Sequence, residues 1–137
     1  MAGYQQSELD EIQRRWELRF PPDLVELMLR RRPLVPGGFD WLVATPAEIA
    51  NKLQWPAEGF VFDVLENDLW WSEWGPKPHE PSEQVERVRK VLAAAPKLIP
   101  LYAHRYLPEQ PFERGNPVFS VMQSDVVYYG TSVDDWL

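Results

Sequence analysis

The chain has no cysteine. Disulfides, thiolate metal sites and cysteine nucleophiles are therefore excluded, and the fold needs no oxidising compartment. Histidine is almost as scarce, with only His79 and His104. They lie far apart and lack a His-x-x-x-His spacing, so no zinc site is expected. Asp63-Val64-Leu65-Glu66-Asn67-Asp68 lacks the central glycine of a carboxylate calcium loop. The expected complement of metals and cofactors is none. No apolar stretch reaches membrane-spanning length, and the segment from Met1 to Glu8 has neither the basic region nor the apolar run of a signal peptide. A cytoplasmic location is the default expectation.

Positive charge is also short. Fourteen Lys and Arg face twenty-one Asp and Glu, for a net charge of −7. That balance argues against binding a phosphate backbone, which needs clustered cations. It favours solubility and could steer a basic partner. The one dense basic run, Arg30-Arg31-Arg32, falls where a helix should end and there complements the helix dipole. Missing too are a nucleophile elbow and a glycine-rich phosphate loop. A His104–Asp125 pair with Ser120 or Ser124 is the one arrangement that would serve a hydrolase. No catalytic residue is assigned, and the chain is expected not to be an enzyme.

What is present is a high aromatic and proline content. Seven Trp and fourteen Pro in 137 residues point to many fixed turns and several short elements. At 45% apolar residues and this length, one globular domain spanning residues 1–137 is expected. Ser7, with Asp10 three residues on, looks like a helix cap, and Leu9, Ile12 and Trp16 follow at helical spacing. Pro21-Pro22 ends that helix and starts another, which Leu24, Leu27 and Met28 line and Pro33 stops. Pro36-Gly37-Gly38 reads as a turn. Thr45-Pro46-Ala47-Glu48 is a strong helix start, and Trp55-Pro56 is expected to close the short helix that follows. Phe60, Phe62 and Val64 alternate like a strand, whereas Trp70, Trp71 and Trp74 are spaced more like a helix that Gly75-Pro76 ends. Ser82 to Ala95 should be a helix with a stripe of Val85, Val88, Val91, Leu92 and Ala95, packed on the sheet through Val88, Val91 and Leu92. Its Glu83–Arg87 and Glu86–Lys90 spacings suit ion pairs. Leu98–Tyr102, Val118–Met122 and Val126–Tyr129 read as strands, the last two forming a hairpin around Gln123-Ser124-Asp125. The chain from Leu107 to Pro117 reads as a proline-rich loop, and Thr131–Leu137 as a short closing helix.

Several of these pieces recur in one family. Pro22-Asp23-Leu24-Val25-Glu26-Leu27-Met28, then Gly37-Gly38, Leu98-Ile99-Pro100-Leu101 and Pro117-Val118-Phe119-Ser120-Val121 resemble, in order and spacing, the SUKH superfamily of Smi/Knr-like proteins. Trp71-x-x-Trp74-Gly75-x-x-Pro78, Ala95-Pro96-Lys97-Leu98-Ile99-Pro100, His104-Arg105-Tyr106 and Gly115-Asn116-Pro117-Val118 look like a bacterial subgroup of it. The resemblance covers roughly residues 8–137. It implies an α+β fold, a mainly antiparallel sheet flanked by helices. It also implies a binding function: many bacterial members are thought to be immunity proteins that neutralise polymorphic toxins, often nucleases, and fungal members look like regulatory scaffolds. The His104-Arg105-Tyr106 element with its proline-rich loop departs from many members.

A binding surface is expected at the rim formed by Trp71, Trp74, His104, Arg105, Tyr106 and Asn116. Arg105 offers a planar donor fork, Tyr106 an amphipathic ring, and His104 a charge that switches near neutral pH. The alternative is structural. Arg105 and His104 would then hold the proline-rich loop to Asp125 or Glu113, and two of Trp70, Trp71 and Trp74 would be core. The functions in contention are an immunity-type module that occludes a toxin domain, a regulatory scaffold with a protein or peptide ligand, and a hydrolase using His104. The expected partner is a protein, with a basic toxin domain favoured by charge, and neither nucleic acid nor membrane.

Overall fold

The computed structural model describes residues 3–122, 125–130 and 132–133. Four helices precede a four-stranded antiparallel sheet. They are α1 (Gln6–Trp16), α2 (Pro22–Arg30), α3 (Pro46–Glu66) and α4 (Pro81–Ala93), with a single 3-10 turn at Ser72–Trp74 between the last two. The strands β1 (Leu98–Tyr102), β2 (Arg105–Pro108), β3 (Val118–Met122) and β4 (Asp125–Gly130) lie in the order β1-β2-β3-β4. The architecture is α+β, as expected. The expected closing helix lies outside the described residues apart from Ser132 and Val133, as does the Gln123-Ser124 part of the expected turn.

Local chemistry explains most helix boundaries. Gln5, not Ser7, caps α1, with Glu8 in the third position returning its carboxylate to the Gln5 backbone N–H at 2.8 Å. Pro22 opens α2 in the position where its missing N–H costs nothing. Thr45 and Glu48 cap α3 reciprocally: the Glu48 N–H donates to Thr45 Oγ1 at 3.2 Å, and the Thr45 N–H donates to Glu48 Oε1 at 2.9 Å. Pro81 at the first position of α4, one residue before Ser82, starts that helix.

The largest correction concerns α3. Trp55-Pro56 does not end it; the helix continues to Glu66 with Pro56 inside. Phe60, Val61 and Val64 are buried and Phe62 is exposed, a helical pattern rather than strand alternation. An internal proline removes the N–H that would bond to the carbonyl four residues back. Here that carbonyl belongs to Lys52, and the Tyr106 hydroxyl donates to it at 2.8 Å. A side chain from the sheet thus replaces the bond that Pro56 deletes.

The second correction is β2, which falls where a loop was expected. It pairs with β1 through Ile99–Leu107 and Pro100–Tyr106 and with β3 through Arg105–Ser120 and Tyr106–Phe119. Successive strand residues face opposite sides. Leu107 accordingly joins a core with Ile99, Val118, Val133 and residues of α1 and α2, among them Leu9, Leu24 and Met28. Tyr106 points the other way, towards α3. The third correction is α4. It does not lean on the sheet through Val88, Val91 and Leu92. These residues form a second cluster with Phe60, Val61, Val64 and Trp74, so α4 covers α3. Arg87, spaced to pair with Glu83, donates Nη1 to the Trp74 carbonyl at 2.7 Å.

Candidate functional site

β1 and β2 are joined by a two-residue turn, Ala103-His104, flanked by the pair Tyr102–Arg105. Ala103 has φ +50°, the left-handed conformation such a tight hairpin demands. Two side chains of α3 hold the turn. Lys52 Nζ donates to the Ala103 carbonyl at 3.0 Å, and the Trp55 indole stacks on the His104 ring at 5.1 Å with an interplanar angle of 15°. Trp55 is itself pinned, because its Nε1 donates to the Val121 carbonyl at 3.0 Å. Beside the turn lies a cleft of about 510 Å3 lined by Gly37, Gly38, Asn51, Lys52, Trp55 and His104, among others. Gly37 has φ +78°, and a Cβ on Gly38 would meet the Val35 carbonyl at 2.9 Å, so the expected turn there does require both glycines.

The residues expected to form one rim do not come together. Tyr106 is fully buried, and its phenol is occupied by Lys52. Burial pushes its pKa well above the usual tyrosine value. Asn116 is buried as well, its amide donating to the carbonyls of Pro108 at 3.0 Å and Pro111 at 2.8 Å. It is a loop anchor, not a surface group. Trp74 is buried in the α3–α4 cluster against Trp70 and Trp71. Trp71 is 44% exposed, with its ring edge-on to Phe60 at 5.4 Å. Arg105 is half-buried at the start of β2. His104 keeps a place at the cleft.

The proline-rich loop is anchored from α2 and the segment before it. Asp23, buried at the start of α2, accepts from the Gly115 N–H at 2.9 Å. Glu26 pairs with Arg114, and the Arg19 guanidinium sits 3.7 Å over the Phe112 ring. The loop is therefore tied chiefly to α2 and its approach.

The surface that emerges instead is the solvent face of α3. Asn51, Trp55, Glu58, Phe62 and Leu65 recur at spacings of three and four and are all exposed. Trp55 is 39% exposed, Phe62 48% and Leu65 46%. The stripe starts at the His104 cleft and runs to the end of the helix, where the chain turns to the exposed Trp71. Its electrostatics are one-sided. Residues 58–86 hold eight acidic residues and a single cation, Lys77, while the rest of the chain holds thirteen of each. Within that stretch Asp63 is buried, Glu58 pairs with Arg89 at 2.7 Å, and Asp68 pairs with Lys77 at 2.5 Å. The Lys77 hydrogen bond holds the Asp68 carboxyl below the usual range. Glu66, Glu73, Glu80, Glu83 and Glu86 are exposed and make no ion pair among the described residues.

Trp55, Phe62 and Leu65 were not among the expected site residues. Their signal was present as helical spacing, but it becomes visible only when the helix is carried through Pro56. No group of three His, Asp or Glu side chains suited to hold a metal occurs among the described residues, nor does a helix long and apolar enough to cross a membrane. No family model, no curated protein and no solved structure matches this chain.

Proposed function

We propose that the chain is a non-catalytic protein-binding module of the SUKH type, acting inside the cell as an immunity protein that occludes a toxin domain. The observation that carries the reading is the solvent face of α3. Phe62 and Leu65 stand exposed along one helix face in line with the half-exposed Trp55, and exposed apolar groups gathered on one face of a folded protein mark interaction surfaces. The resemblance in the Pro22–Met28, Gly37-Gly38 and Leu98–Leu101 segments supplies the immunity role. The test is co-expression with a toxin encoded beside its gene. The expected result is survival of cells carrying the chain together with that toxin, and a stable complex of the two purified proteins. A gene with no toxin neighbour and no protective effect would overturn the immunity role. Hydrolytic turnover lost on His104→Ala would overturn the non-catalytic reading.

A further inference from the structure

The geometry points to the chemistry of the partner's docking element: a cationic amphipathic helix that lies along α3, its apolar side on Trp55, Phe62 and Leu65 and its Lys and Arg towards the exposed carboxylates Glu66 and Glu73. This inference rests on the protein-binding reading and adds to it a surface and a ligand class. Two independent features meet here. The apolar stripe has the three-and-four spacing by which one helix reads another. The charge of the stretch that holds Phe62 and Leu65 is not the average of the molecule, because residues 58–86 sum to −7, the net charge of the whole chain, and Glu66 on α3 follows Leu65 directly. Charge complementarity therefore chooses among occupants. A second copy of this chain would set the same unpaired carboxylates of the two molecules against each other, and like charges across an interface oppose docking. An acidic or neutral helix would leave Glu66 and Glu73 without counter-charges. A cationic one satisfies both features, and long Lys and Arg stems also cover apolar surface.

The experiment titrates the purified chain with two synthetic helical peptides by calorimetry and maps each by NMR amide and indole shifts. Both peptides carry leucines on one face; one has lysines and the other glutamates on the opposite face. The lysine peptide should bind saturably, shift the signals of Trp55, Phe62 and Leu65, and weaken as salt rises. The glutamate peptide should not bind. The double variant Phe62→Ser/Leu65→Ser should weaken the lysine peptide by about tenfold or more. Glu66→Lys/Glu73→Lys should weaken it less and flatten the salt dependence. Leu29→Ser, an exposed leucine on α2, should leave affinity unchanged. Circular dichroism checks that each variant is folded.

Failure of the lysine peptide to bind, shifts that map elsewhere, or equal weakening by Leu29→Ser would overturn the inference. So would a dimer in sedimentation that Phe62→Ser/Leu65→Ser dissolves. Failure of this surface is distinguishable from failure of the protein-binding reading. If the Phe62→Ser/Leu65→Ser variant still protects cells from the toxin as well as the wild type does, the reading stands and this surface falls. If the wild type protects from nothing while the peptide binds at the α3 face, the surface stands and the immunity reading falls.

Discussion

Two buried clusters of very different weight hold this molecule together. Among the described residues the larger gathers sixteen buried side chains, from α1, α2, α3, the first three strands and the segments between, with Tyr4 before α1 and Val133 after β4. The smaller gathers five, from the second half of α3, the 3-10 turn and α4. Charge is distributed the opposite way: the small cluster lies under the stretch that carries the entire net charge, and the large one belongs to a balanced remainder. The contrast teaches a division of labour. Folding free energy scales with apolar area removed from water, so the larger cluster dominates stability. The α3–α4 region has the smaller cluster to set against repulsion among its carboxylates, and it exposes Trp55, Phe62, Leu65 and Trp71.

The sharpest way to break that contrast is one substitution made in both clusters. Phe20 is essentially inaccessible in the large cluster, and Phe60 is buried in the small one beside an open apolar groove of about 440 Å3. Phe20→Ala should cost about 3–5 kcal/mol in urea unfolding, the usual range for a phenylalanine removed from a core. Phe60→Ala should cost clearly less, on the order of 2 kcal/mol, because the space it vacates opens into an existing groove and not a sealed cavity. Equal losses would mean that the two clusters are one cooperative core.

A smaller effect sharpens the boundary between sheet and α3. Tyr106→Phe removes only the hydroxyl and leaves the Lys52 carbonyl without its donor, which should cost roughly 1–3 kcal/mol. Pro56→Ala restores a backbone N–H to the same carbonyl. In the Pro56→Ala background Tyr106→Phe should therefore cost much less, and a double-mutant cycle in urea unfolding measures the difference. Simple additivity of the two changes would show that Tyr106 does not replace the bond lost at Pro56.

The smallest effect is a pH dependence. Tyr4 and Tyr106 both have their pKa raised, chiefly by burial. A raised folded-state pKa adds stability that is fully present below the unfolded tyrosine value of about 10 and is lost as pH rises beyond it. Melting temperature should therefore fall above about pH 10, and Tyr106→Phe should make that fall shallower. An unchanged alkaline slope in Tyr106→Phe would show that the phenol exerts no linkage.

The legible parts of the sequence were those whose chemistry is local. The reciprocal cap of Thr45 and Glu48, the proline at the head of α2, and the β-rich runs of β1 and β3 lie within a few residues of the features they specify. The site was harder to read. Arg105, Tyr106 and Asn116 have the composition of an interface, yet Tyr106 and Asn116 are fully engaged by distant carbonyls, and composition does not reveal a partner. β2 was hidden because Arg105–Pro108 is four residues long and ends in proline. Its identity comes from being flanked by β1 and β3, not from its own propensity.

By itself, then, the sequence determined the run of helices before strands, the starts of α2 and α3 and the place where negative charge accumulates, because caps, periodicity and charge are written in neighbouring residues. Only the tertiary structure decided that α3 runs through Pro56. An internal proline is unfavourable by about 3 kcal/mol in an isolated helix, and the local signal is therefore a stop. The stop is overridden by the Tyr106 hydroxyl, which comes from a distant strand to the Lys52 carbonyl, together with the burial of Phe60, Val61 and Val64 beyond it. That single override converts an expected strand into helix, buries the tyrosine that had looked like a contact, and lines up Trp55, Phe62 and Leu65 on one exposed face.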